Sequence, residues 1–236
     1  MADERKGPKV GFFGPMKSLD SAESSFEQLP NGQLRARIWH ETMHGVTPKM
    51  VRWWFENSDT STHFNGQDFT GPPVPVYRLW HPYDHIRCSW AHRVYDDSGR
   101  LAPGSVIEIE ENLGARYPVR AKARVTKFDD SAFNFDVLLG GLIRAGHLLH
   151  EYAETDGGCS FYTEMLLGRD VPLLGRLANA LARRFAAADE DFVRTWIVHN
   201  IEESGETEKF VPKLYEHAMA SHARQSPGDR ESRSAP

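Results

Sequence analysis

The 236 residues are 40% hydrophobic and 26% charged, enough for a folded core with a well-solvated surface. The formal net charge of −5 leaves no basic field for a phosphate backbone, which sets nucleic-acid binding aside. No apolar run reaches the roughly 20 residues of a membrane span, and the charged start MADERKGPKV lacks a secretory h-region, so a soluble cytoplasmic protein is expected.

Cys88 and Cys159 are too few for a disulfide scaffold. Residues 1–24 are rich in Gly, Pro, Ser and charge without a period, and are expected to be mobile or loosely docked. Residues 25–75 read as a helical and loop segment. Within it Thr47-Pro48 has the chemistry of an N-cap followed by a first-turn proline, opening a short helix through Met50, Trp53, Trp54 and Phe55.

Strand signals dominate from residue 76. Ile86, Cys88, Trp90, His92 and Val94 alternate with polar or small residues, and Ile107, Ile109 and Glu111 alternate with Glu108 and Glu110. Val119 to Val125 and Phe133 to Val137 repeat the pattern; Ile143, Ala145, His147 and Leu149 are expected to form the next inner face, and Cys159 to Leu167 a further strand. The period then changes. Val171 to Ala187 reads as an amphipathic helix, and Asp189 to Glu203 as a second one capped by Asp189 and stopped by Gly205. Glu206 to Ala218 adds a turn or two, and residues 220–236 have the composition of a disordered tail. Strands followed by terminal helices predict an α+β fold, in which a curved antiparallel sheet grips a long C-terminal helix around a cavity.

Two histidine segments carry the chemistry. His199 and Glu203 lie on one helix face with Phe192 and Trp196, so an imidazole and a carboxylate turn inward together. A buried carboxylate calls for a cation, and His plus Glu is a zinc-type donor pair. Tyr77-Arg-Leu-Trp-His-Pro-Tyr-Asp-His85 supplies His81 and His85, one of which need face inward. Parity places Glu111 on the buried side of its strand and Glu108 and Glu110 on the other. By themselves His147 reads as a core histidine, and Tyr77 and Tyr162 as core aromatics with wet hydroxyls. His40-Glu-Thr-Met-His44 matches the zincin pattern, but Gly45 and Pro48 deny it the helix that pattern needs.

Gly45 to Phe55, Tyr77 to His85, the Glu111-Asn-Leu-Gly114 strand end, His147 to Gly158 and His199 to Glu203 together resemble the diacetylphloroglucinol hydrolase family, which includes phloretin hydrolase. The resemblance covers most of residues 45–203. It implies a helix-grip (START-like) domain that holds one Zn2+, or another divalent metal, on His85, Glu111, His199 and Glu203. It implies catalytic and substrate-binding roles for Tyr77, His147 and Tyr162: Tyr77 stands eight residues before His85, and His147 and Tyr162 are fifteen apart. The tyrosine spacing favours His85 over His81. Cys88, which the resemblance places among the substrate-binding residues, stands where the family's hydrolase has an asparagine, and the stretch from His85 to Glu111 is shortened. The implied reaction is hydrolysis of the carbon–carbon bond between an acyl group and a polyhydroxylated ring, with a small aromatic ketone as substrate and a homodimer as the assembly. The competing expectation is a hydrophobic ligand carrier, or a non-hydrolytic catalyst, built on the same cavity.

Overall fold

Period-two alternation begins earlier in the chain than its composition announces. Leu34, Ala36 and Ile38 are buried, while Arg35, Arg37 and Trp39 between them reach the other face. The computed structural model describes residues 10–171, 175–186 and 189–225. The N-terminal part holds β1 (Val10–Gly11), β2 (Gly14–Pro15), β3 (Ala22–Gln28), β4 (Leu34–His40) and β5 (Met43–His44). It continues through α1 (Pro48–Asn57), β6 (Ser61–Thr62), β7 (Val74–Pro75) and α2 (Val76–Trp80). Then come β8 (His85–His92), β9 (Val106–Leu113), β10 (Tyr117–Asp129), β11 (Ala132–Leu139), β12 (Ile143–Thr155) and β13 (Gly158–Leu167), followed by α3 (Gly175–Ala186) and α4 (Glu190–Gln225).

The central sheet has nine antiparallel strands in the order β3-β4-β13-β12-β11-β10-β9-β8, with β5 added to β13. Helix α4 lies across its concave side, where Val193, Trp196, Ile197 and Ile201 pack against Leu34, Ala36, Ile38, Leu113 and Met165. This is the α+β helix-grip arrangement. The boundary expected at residue 76 is corrected: β3 and β4 belong to the same sheet as the later strands. Of the N-terminal segment, residues 1–9 lie outside the described residues; the rest docks, with Phe13 stacked on Phe210 and Met16 buried. The expected tail is helical as far as Gln225, and residues 226–236 lie outside the described residues.

The caps behave as their chemistry dictates. Thr47 Oγ1 accepts the Met50 N–H at the start of α1, and Asp189 Oδ1 accepts the Phe192 N–H at the start of α4. Of the helix expected over Val171 to Ala187, Gly175–Ala186 is described. The expected stop at Gly205 does not occur, because α4 runs through it to Gln225. Gly205 is instead a packing position, where a Cβ would collide with the Lys17 side chain. Alanine there gains about 1 kcal/mol of helix propensity, but overpacking costs about 1–3 kcal/mol. Gly205→Ala is therefore expected to lower the urea midpoint, where propensity alone would raise it. No helix among the described residues is long and apolar enough to cross a membrane.

Candidate functional site

Three elements bring side chains together beside one cavity. Helix α4 turns His199 and Glu203 toward the sheet one turn apart, and both are buried. Strand β8 opens with His85, directly opposite Glu111 of β9 in the antiparallel pair. Glu111 shares its face with Ile107 and Leu113, as parity predicted. His85 Nε2 lies 3.2 Å from Glu203 Oε2 and 3.7 Å from Glu111 Oε1, and His199 Nε2 lies 3.4 Å from Glu203 Oε2.

Each of these four side chains is fixed by a partner behind it. His85 Nδ1–H donates to the Tyr77 carbonyl at 2.9 Å, and the Tyr77 ring stacks on the imidazole at 3.8 Å. The Tyr77 hydroxyl donates to Glu111 Oε1. His199 Nδ1–H donates to Asp84 Oδ2 at 3.0 Å, and Asn200 Nδ2–H donates to Glu203 Oε1 at 2.5 Å. Both imidazoles thereby turn Nε2 toward Glu203. His85 Nε2 and Glu203 Oε2 are buried with no hydrogen-bond partner. An orphaned acceptor costs about 1–3 kcal/mol in such a place, so the pair asks for a cation. Two nitrogens and two carboxylate oxygens on separate elements fit a divalent metal of the zinc class. His85, Glu111 and His199 offer ligand atoms within 4.8 Å of one another.

The charges of the cluster stabilise one another. Burial opposes charge on the His199 ring, but Glu203 and the Asp84 hydrogen bond raise its pKa to about 10. Burial likewise opposes charge on Glu203, yet His199 and His85 hold it well below the usual carboxylate range. Asp84 is also held low, against its own burial, by the hydrogen bond to His199 and by His81. A second group, His81, Asp84 and His199, is close enough to hold an ion. Its atoms are already committed: Asp84 Oδ2 accepts from His199 and from the Gly114 N–H, and His81 Nδ1 accepts the Asp84 N–H. His81, fully buried and stacked 4.5 Å from His199, supports the centre from behind.

The cavity measures about 80 Å³. Trp54, Phe55, Trp80, Phe133, Phe135 and Trp196 wall it, and its polar groups are Ser58, Tyr77, Glu111, His150, His199, Asn200 and Glu203.

Two expected site residues are elsewhere. His147 points to the outer face of the sheet, half-buried, with Nδ1 3.0 Å from Asp136 Oδ1. Tyr162 is also on the outer face, where it packs on Trp39 and donates to Glu164 Oε2. The inner faces of β12 and β13 are carried instead by Leu148, His150 and Tyr152 and by Cys159, Phe161 and Thr163. A register irregularity at Val137/Leu138 accompanies the inverted parity of β12. His150 is the imidazole that reaches the cavity.

On β8, a bulge between His85 and Arg87 lets His85 and Cys88 both point inward, three residues apart, and leaves Ile86 exposed. A second irregularity leaves His92 exposed as well, contrary to expectation. Cys88 is buried beside the cavity, and its thiol donates to Ser58 Oγ. His40 and His44 sit on strands β4 and β5, so the zincin geometry is absent.

Sequence reasoning missed Asp84, Asn200, His150 and Ser58. Asp84 and Asn200 were within the motifs already singled out, each adjacent to a proposed ligand. Partners that orient a metal-binding histidine typically carry a 10–100-fold effect on metal affinity. Asp84→Asn is expected to weaken zinc binding by that order in a chelator competition, with the fold kept as judged by circular dichroism.

The profile of the DAPG hydrolase PhiG domain matches residues 16–216. The chain belongs to the DAPG hydrolase family. No curated protein matches it. Among solved structures, a protein from Rhodobacter sphaeroides is 10% identical, with a TM-score of 0.44 over 81% of this chain and 99% of its own. Protein Ms6760 from Mycobacterium smegmatis is 11% identical, with a TM-score of 0.43 over 78% of this chain and 95% of its own. A START superfamily protein from Mycobacterium smegmatis is 9% identical, with a TM-score of 0.38 over 73% and 97%. The family is one of hydrolases, and the buried His, Asp and Glu groups of this DAPG hydrolase domain are able to hold a metal ion.

Proposed function

We propose that this chain is a metal-dependent hydrolase that cleaves the carbon–carbon bond between an acyl group and a polyhydroxylated aromatic ring. The observation that carries the reading is the meeting of His85, Glu111, His199 and Glu203 beside an aromatic cavity, with His85 Nε2 and Glu203 Oε2 left without a hydrogen-bond partner. Zinc suits this donor set, and iron, manganese or cobalt accept it too. Held there, a divalent ion supplies Lewis-acid polarisation of the acyl carbonyl and a water ionised near neutral pH.

Water adds to the acyl carbon, and the bond from that carbon to the ring breaks. The electron pair passes into the ring, which a hydroxylated ring accommodates as its β-diketone tautomer. A proton then adds to the ring carbon, giving a carboxylic acid and a deacylated ring. Burial lowers the His150 pKa to about 4, so the imidazole is neutral at pH 7. Its Nδ1–H donates to the Phe133 carbonyl at 3.2 Å, which leaves Nε2 as an acceptor for a ring hydroxyl. The proton that the ring carbon takes up is assigned to the Tyr77 hydroxyl, which donates to Glu111 Oε1. The aromatic walls hold the ring flat and exclude water.

Elemental analysis of the purified chain, combined with a screen of acylphloroglucinols, tests the proposal. One divalent ion per chain and acid release that stops on chelation and returns with zinc are expected. Full turnover by the chelated chain would reject the role given to the metal.

A further inference from the structure

Among the polar groups of the cavity, Ser58 takes no part in the ligand cluster. It follows α1 as its C-cap and is buried. Its hydroxyl donates to the Phe55 carbonyl at 3.0 Å, and that carbonyl also receives the Ser58 N–H at 3.5 Å. Cys88 Sγ–H donates to Ser58 Oγ at 3.4 Å. A hydroxyl has one hydrogen to give and two lone pairs to receive with. Here the hydrogen is committed to Phe55 and one lone pair to Cys88. What remains is a single acceptor site on a wall otherwise made largely of aromatic rings.

We infer that Ser58 is a specificity-determining residue, whose Oγ accepts a hydrogen bond from a free ring hydroxyl of the substrate and so discriminates against rings on which that hydroxyl is an ether. The inference rests on the hydrolase reading above and deepens it by specifying the substrate as a free phenol at that position. Cys88 acts through Ser58. Its thiol pKa, pushed up to about 12 chiefly by burial, keeps the proton that holds Ser58 in the acceptor role. An ether oxygen brought to Oγ would meet an acceptor, and could be bonded only if the Ser58 hydroxyl gave up the Phe55 carbonyl. A site built to bond a substrate hydroxyl rejects analogues that lack it more strongly than an apolar pocket rejects an extra methylene.

The test compares kcat/KM for 2,4,6-trihydroxyacetophenone with the values for its 2-O-methyl and 4-O-methyl ethers. The zinc-loaded wild-type chain is compared with Ser58→Ala and Ser58→Thr. The wild type is expected to prefer the triol over at least one ether by tenfold or more. Ser58→Ala should bring that ratio to within about twofold. Ser58→Thr keeps the hydroxyl and should keep the preference, which separates hydrogen bonding from helix capping. An undiminished ratio in Ser58→Ala, a wild type without preference, or a Thr variant that behaves like the Ala variant would overturn the assignment alone. Failure of the wild type to cleave the triol would reject the hydrolase reading and this inference with it.

Discussion

His199→Ala is expected to remove metal and turnover together. The substitution deletes the Nε2 donor that faces Glu203 and the Nδ1–H that Asp84 accepts. Asp84 and Glu203 are then buried carboxylates that have each lost a partner. Removing one member of a buried pair costs about 3–5 kcal/mol, so a lower thermal midpoint should accompany the lost metal. His199→Gln, whose amide N–H still reaches toward Asp84, provides a variant with a milder folding cost and the same expected loss of metal. His40→Ala should retain metal, because His40 lies on β4 with Nε2 3.3 Å from Thr163 Oγ1 and outside the ligand cluster. Full activity in a metal-free His199 variant would be incompatible with the proposed chemistry.

The second large effect concerns two histidines three residues apart on one strand. His150 faces the cavity, and its Nδ1–H is committed to the Phe133 carbonyl. Leaving a buried hydroxyl without its partner costs about 1–3 kcal/mol, so His150→Ala should lower kcat/KM on an acylphloroglucinol by roughly 5–150-fold while the metal stays bound. His147 is on the outer face beside Asp136, and His147→Ala should change kcat/KM by less than about twofold, as is usual for a surface site. Steady-state kinetics with metal content measured on the same samples decides between the two assignments. The reverse ranking would mean that the strand presents its other face to the substrate.

The parts of this site that could be read from sequence are those governed by an unbroken period. The stripe Phe192, Trp196, His199 and Glu203 needs only 3.6 residues per turn, and α4 keeps that period from Glu190 onward. Glu111 follows from strict alternation with Ile107 and Ile109. Where the backbone breaks the period, the sequence misleads. On β12 the run His147-Leu-Leu-His150 is apolar on both parities, so a one-residue shift exchanges one imidazole for another without altering the pattern. On β8 the bulge after His85 brings His85 and Cys88 to the same side, which alternation forbids.

Gly205 misleads in another way, since a glycine required by Lys17 packing has the same letter as one that ends a helix. The early strands β3 and β4 are hidden by composition. Glu23, Glu27, Arg35 and Arg37 give the segment a loop-like charge, yet Glu27 Oε1 accepts from both arginines across the strand pair and the buried alternation lies beneath. Asp84 and Asn200 could not be assigned from spacing, because their roles depend on which ring nitrogen or carboxylate oxygen their neighbour leaves free.

The cavity is proposed to perform hydrolysis on an acylated phenolic ring. The most direct measurement is product analysis by mass spectrometry after the zinc-loaded chain turns over an acylphloroglucinol in water labelled with oxygen-18. A carboxylic acid carrying one labelled oxygen is expected, in equal amount with the deacylated ring. Recovery of the ligand unchanged, or an acid without label, would contradict it.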